Sequence, residues 1–199
     1  MKIVFLTNNN NTLPLFQFLK NTAKEEVILW SNKFTLSQAK NINPEIVISY
    51  NYKLIIDEDV INYLTPKIIN LHISYLPWNR GMHPNVWSFL ENTPKGVTIH
   101  LINKGVDTGD ILLQRKIEMD ELRETLASSY ERLHKEIQEL FIRNWSRIKS
   151  FKIDPRPQSN YSNLHYNSDF EKIKYILGRE GWEIPIFLLK QRYNEITDQ

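Results

Sequence analysis

The apolar positions of this chain fall into short continuous runs separated by longer, periodic stretches. Residues 3–6, 27–30, 46–49, 68–72, 97–102 and 111–117 are rich in Ile, Val and Leu and are too short for buried helices, so each predicts a strand. The runs are continuous rather than alternating, which is the pattern of strands buried on both faces, as in a parallel sheet. Helical stretches intervene. Thr12 suits the N-cap of a segment carrying Leu15, Phe16, Phe18 and Leu19. Asp57 or Asp59 opens a helix through Val60, Ile61 and Leu64 that ends before Pro66. Pro84 suits the first turn of another, with Val86, Trp87 and Leu90 following. Leu126, Tyr130, Leu133, Ile137, Leu140, Phe141, Trp145 and Ile148 then recur on one face of a long helix. Pro155 and Pro157 mark a linker. Beyond it lie a helix-like stretch at 170–177, a break at Gly178 and Gly181, and an apolar run at 184–189. The alternation predicts an α/β fold, a Rossmann-like open and mostly parallel sheet with helices on both faces. Residues 1–150 form its main domain, and 151–199 a C-terminal extension packed on the core or at a dimer interface.

Composition narrows the function. Hydrophobic residues make up 41% of the 199, enough for a sizeable core. Lys plus Arg number 25 against 23 Asp plus Glu, so no strong field marks a nucleic-acid or membrane-surface binder. With no cysteine, disulfides, thiolate catalysis and cysteine-based zinc sites are excluded. The first apolar run ends at Asn8–Asn11, too soon for a signal peptide or membrane span, so a soluble, cytoplasmic protein is expected.

The stretch 69–109 carries the chemistry. Asn70 and His72 stand two apart at the end of an apolar run. A loop follows, Leu76-Pro77-Trp78-Asn79-Arg80-Gly81. A second apolar run then leads into Gly105-Val106-Asp107-Thr108-Gly109. Side chains two apart on a strand share a face, and open α/β sheets place ligands at the carboxyl ends of their strands. These spaced elements resemble the formyltransferases that use N10-formyltetrahydrofolate, whose pattern is N-x-H-x-S-x-L-P-x-x-R-G and, further along, Asp-x-Gly. The resemblance covers about residues 1–150.

The resemblance makes Asn70, His72 and Asp107 the catalytic triad. An amide at Asn70 suits an oxyanion donor. His72 is the near-neutral proton carrier, and Asp107 would orient it and support its protonated form. The resemblance also implies N10-formyltetrahydrofolate as formyl donor, held by the loop carrying Tyr52, Lys53, Leu54 and Ile55 and the loop carrying Asn103 and Val106. Where that family has glycine in the first loop, this chain has Asn51, a residue that tolerates positive φ better than most. Asn8, Asn9, Asn10, Trp78, Arg80, His83 and Trp87 would shape the acceptor pocket, although Trp87 also reads as a core residue. His100 lies mid-strand and reads as structural. The histidines lack metal-ligand spacing, so no metal is expected.

The acceptor separates the branches. The stretch after Pro157 has no excess of positive charge to hold a tRNA backbone, which disfavours the methionyl-tRNA enzymes. Glycinamide ribonucleotide enzymes, the main alternative, use a glycine-rich loop after the first strand to hold a phosphate, and this loop has none. The NLHISYLPWNRG and TPKGVTIH segments are most similar to sugar N-formyltransferases, which implies a nucleotide-linked deoxyamino sugar as acceptor. A non-catalytic folate or nucleotide binder on the same fold, or a hydrolase releasing formate, are further alternatives. A homodimer is compatible with the apolar C-terminal run.

Overall fold

The computed structural model describes residues 1–159 and 163–197. In chain order its elements are β1 (Lys2–Leu6), α1 (Leu13–Gln17), β2 (Glu26–Trp30), α2 (Leu36–Ile42), β3 (Ile46–Tyr50), α3 (Glu58–Leu64), β4 (Ile68–His72), β5 (Arg80–Gly81), α4 (Pro84–Leu90), β6 (Gly96–Leu101), β7 (Ile111–Lys116), α5 (Leu126–Lys149), β8 (Leu164–His165), α6 (Asn167–Ile173) and α7 (Ile186–Thr197). The six long strands form one sheet in the order β2-β1-β3-β4-β6-β7. The first four run parallel, and β6 and β7 each reverse against their neighbour. The sheet is therefore mostly parallel, as the apolar runs predict.

The two-residue period of each strand sorts its side chains between two cores. Ile3, Phe5, Ile46, Ile48, Tyr50, Ile69, Leu71, Val97 and Ile99 point to one face and pack against Leu15 of α1 and the apolar stripe of α5. Val4, Leu6, Val47 and Ile68 point to the other and meet Phe34, Ala39 of α2, and Val60 and Leu64 of α3. The same alternation puts Asn70 and His72 on the second face, beyond Ile68, at the carboxyl end of β4.

Two local readings differ from the sequence expectation. The segment expected as one helix after Thr12 is a 3-10 turn (Asn10–Thr12), the short α1 and a π turn (Phe18–Thr22). And α2 escapes the apolar period because it buries only Ala39. It announces itself by a capping box, Thr35 bonding the Gln38 N–H and Gln38 reaching back to Thr35.

The residues after 150 are stitched into the fold. Phe170, Ile176, Leu177, Ile184, Ile186 and Leu189 form a third core with Val86, Trp87, Phe89 and Leu90 of α4 and Leu126 of α5. The run at 170–177 spans the end of α6 and the start of a 3-10 stretch (Lys174–Glu183), which Gly178 and Gly181 break with φ of 58° and 56°. Strand β8 pairs parallel with β5, Arg80 opposite Leu164 and Gly81 opposite His165. Among the described residues no helix is long and apolar enough to cross a membrane.

Candidate active site

Strand β4 sets Asn70 and His72, and its antiparallel neighbour β6 places His100 opposite Asn70 and Thr98 opposite His72. After β6 the chain turns sharply. The Asn103 side chain organises that turn by accepting the Gly105 N–H at 3.1 Å and the Thr108 hydroxyl at 2.6 Å. Asp107 sits in the turn at φ 50°, a left-handed conformation that Asp adopts more readily than most residues. Its carboxylate faces back to β4. Oδ1 accepts the Asn70 Nδ2–H at 3.1 Å and lies 3.4 Å from His100 Nε2. Oδ2 accepts the Gly81 N–H at 2.9 Å and lies 3.6 Å from His72 Nδ1. The structure thus brings Asn70, His72 and Asp107 together, with His100 as a fourth member.

The electrostatics follow from burial. Burial alone would raise the Asp107 pKa, but the charge available at His72, the His100 ring and the Gly81 N–H outweigh it and hold the carboxyl well below the usual range. For His72 the balance goes the other way. Burial pushes its pKa below the ordinary value, Asp107 pulls it back up, and His100 opposes Asp107. At neutral pH the site therefore holds a neutral imidazole beside a carboxylate. The other ring nitrogen, Nε2, is 3.2 Å from the Asn79 carbonyl. Both ring nitrogens face acceptors, so a proton gained at His72 is received by the site even though burial resists it. That is the behaviour wanted of a transient acid–base group.

The expected folate loops flank this cluster. Asn51 takes φ of 50°, as an Asn in a glycine place should. Tyr52 turns away, its hydroxyl donating to the Asn32 carbonyl at 2.5 Å, while Lys53 N–H donates to Asn8 Oδ1 at 2.9 Å. Leu54, Ile55 and Val106 are exposed at 39%, 82% and 48%.

The expected acceptor residues scatter. Asn8 also donates to the Ser31 carbonyl, Asn9 caps the following turn, and Asn10 is exposed. On the α5 side of this loop a cleft of about 370 Å³ is lined by Asn11, Tyr130, His134, Lys135 and Gln138, among others. Trp78 lines a separate cleft of about 400 Å³ with Glu91, Thr93 and Asn163. The Arg80 guanidinium donates to Gln158, and His83 Nε2 donates to Asn167 Oδ1 at 2.9 Å while its ring packs on Phe170. Trp87 faces the third core at 5% exposure and stacks on His165, rings 4.0 Å apart, so its indole fills the interior rather than a cleft. Among the described residues no group of three His, Asp or Glu is placed to hold a metal ion.

Residues 3–144 match the family model described as formyl transferase. The chain belongs to the formyl transferase family. Among curated relatives of this family member, the methionyl-tRNA formyltransferase of Sulfurihydrogenibium sp. (strain YO3AOP1) is 31% identical over 163 residues, covering 81% of this chain and 49% of that protein. The chain thus spans about half the length of that relative. Among solved structures, the formyltransferase PseJ from Anoxybacillus kamchatkensis, in complex with UDP-4,6-dideoxy-4-formamido-L-AltNAc and tetrahydrofolate, is 40% identical with a TM-score of 0.88, covering 97% of this chain and 100% of that one. A sugar N-formyltransferase from Shewanella sp FDAARGOS_354 shares the fold, at 20% identity and a TM-score of 0.80, with 97% and 87% covered.

Proposed function

We propose that this formyl transferase moves a formyl group from N10-formyltetrahydrofolate to the amino group of a nucleotide-linked deoxyamino sugar. The observation that carries the reading is the end-to-end likeness to a structure holding tetrahydrofolate and a formamido nucleotide sugar, at 40% identity and with both chains covered almost entirely. The exposed apolar side chains of Leu54, Ile55 and Val106, beside the carboxyl ends of β3 and β6, support a flat heterocycle on this side of the sheet.

In this reading the acceptor amine attacks the formyl carbon, a new C–N bond forms, and the bond to N10 breaks. Neutral His72, its ring turning Nε2 from the Asn79 carbonyl toward the reacting atoms, takes the proton the amine loses and returns it to N10. Asp107, kept ionised by the His72 and His100 rings and the Gly81 N–H, stabilises the imidazolium meanwhile. The Asn70 amide turns from Asp107 toward the oxygen that gains charge.

A second reading, formylation of methionyl-tRNA, is favoured by the names of the sequence relatives. It is opposed by the chain's near-balanced charge. One assay separates the readings. The full chain is given N10-formyltetrahydrofolate with a nucleotide-linked 4-amino sugar, glycinamide ribonucleotide or charged methionyl-tRNA, and formamide product and free formate are both measured. The sugar should show the highest kcat/KM. A higher value with either other acceptor, or formate released without an acceptor, overturns the proposal.

A further inference from the structure

Gln158 lies outside the family-matched region, in the stretch between α5 and β8, yet it touches both loops that frame the candidate triad. Its Nε2 donates to the Asp107 carbonyl at 2.8 Å and to the Gly109 carbonyl at 2.7 Å. Its Oε1 accepts from Arg80 Nη2 at 2.7 Å and Nε at 3.2 Å. One amide thus fastens the Asp107 turn to the β5 strand. That strand supplies the Gly81 N–H bound to Asp107 Oδ2 at 2.9 Å.

The neighbouring backbone explains why Gln158 is placed so firmly. Arg156 exchanges both backbone hydrogen bonds with Ile111, at 2.7 and 2.9 Å, just after the turn. Further on, Arg80 N–H donates to the Asn163 carbonyl and Met82 N–H to the His165 carbonyl. These bonds anchor the segment on both sides of Gln158. They also fix Gly81, where a Cβ would lie 2.3 Å from the His165 carbonyl oxygen.

We propose that Gln158 is a positioning residue for formyl transfer, setting the distance and angle of the Asp107 carboxylate to His72 and Asn70 through its bonds to Asp107, Gly109 and Arg80. The proposal rests on the formyl-transfer reading for its kinetic consequence but not for its geometry. The Asp107 turn is left-handed at a non-glycine residue, a conformation that persists only when its surroundings hold it. Gln158 holds its main chain, as Asn70, His100 and Gly81 hold its carboxylate. Without Gln158 the turn keeps its sequence and loses its tether, and the carboxylate drifts from the ring it serves.

The test uses the full chain as Gln158→Leu, which keeps the length and deletes all four bonds. It also uses Gln158→Glu, which keeps the acceptor for Arg80 and loses both donations. Because small misplacements are costly in positioned chemistry, kcat should fall about 10–100-fold with KM for both substrates within about threefold. In an Asp107→Asn background the same change should cost less than about twofold, since the carboxylate it positions is gone. Hydrogen exchange supplies a readout independent of turnover. The Gly81 amide should exchange at least about tenfold faster in the variants while the amides of β1 and β3 keep their rates. Unchanged Gly81 exchange, kcat within about twofold of wild type, or an equal loss in the Asp107→Asn background would overturn the proposal. If Gln158→Leu does not fold, Gln158→Glu carries the same three readouts. Should the wild-type chain transfer formyl to no acceptor, the formyl-transfer reading fails, and Gly81 exchange alone decides whether Gln158 sets the carboxylate.

Discussion

Asp107→Asn keeps the shape of the turn and removes the charge, and the structure sets the size of the effect. The carboxylate lies 3.6 Å from His72 Nδ1, and both side chains are nearly buried, at 13% and 9% exposure. At that distance and an effective dielectric near 20, the attraction to a protonated imidazole is about 5 kcal/mol. The amide oxygen that remains keeps part of the favourable dipole, so roughly 2–3 kcal/mol of that attraction should be lost and the His72 pKa should fall. His72 is already below its ordinary pKa through burial. Losing Asp107 moves it lower still, so the acid limb of kcat/KM shifts to lower pH, not higher. The plateau should fall about 10²–10⁴-fold, because the imidazolium formed during transfer has lost its partner. Folding suffers too. The Gly81 N–H and the Asn70 Nδ2–H are donated to different carboxylate oxygens. In the variant one of them meets an NH₂ group, which costs about 1–3 kcal/mol. Turnover from pH 5 to 9 and urea unfolding at pH 7 measure both. A plateau within about twofold of wild type and an unmoved acid limb would show that Asp107 only closes a turn.

Three further outcomes follow from other parts of the structure. His72→Asn should lower kcat by about 10²-fold or more while the urea midpoint moves little, and retention of half the activity would remove His72 from the reaction. Stability should fall in acid through His134, whose pKa burial depresses to about 4. The unfolded chain binds a proton there near pH 6.5 and the folded chain does not, so roughly 3 kcal/mol present at pH 7 is lost as pH falls to 4. Urea unfolding of wild type and His134→Gln at both pH values isolates this share, and equal slopes would refute it. Gly109→Ala should both destabilise the chain and depress kcat, since a Cβ there would sit 1.7 Å from the Leu101 carbonyl oxygen, a backbone atom that cannot yield without moving the Asp107 turn. Wild-type melting and turnover in that variant would contradict the packing.

The central strands and the candidate site were legible in the sequence for different reasons. Strands at 3–6, 46–49 and 68–72 show because burial on both faces leaves no polar position to blur them. Asn70, His72 and Asp107 show because the motif keeps them in order along the chain. What stayed hidden depends on pairing across the sheet or on distant sequence. His100 reads as an ordinary mid-strand residue until β6 is known to run antiparallel to β4, which sets it against Asn70. Trp87 reads as a pocket candidate and more strongly as a core residue, and its stacking on His165 from the C-terminal segment puts it in the interior. Gln158 carries no pattern at all, since its neighbours are prolines and polar residues and its partners lie 49 to 78 residues upstream.

The parallel pairing of β5 with β8 gives the site a place in time as well as in space. Asn79 N–H donates to Asn163 Oδ1 across 84 residues of sequence. At a synthesis rate of about 5–20 residues per second, a growing chain carries Asn70 and His72 for several seconds before the segment that fastens their surroundings exists. All three triad candidates have been made by residue 107, and the whole family-matched region by 144. A nascent chain at that stage holds the candidate residues without the contacts that frame them, and that frame is complete only once Gln158, Asn163 and β8 have been made.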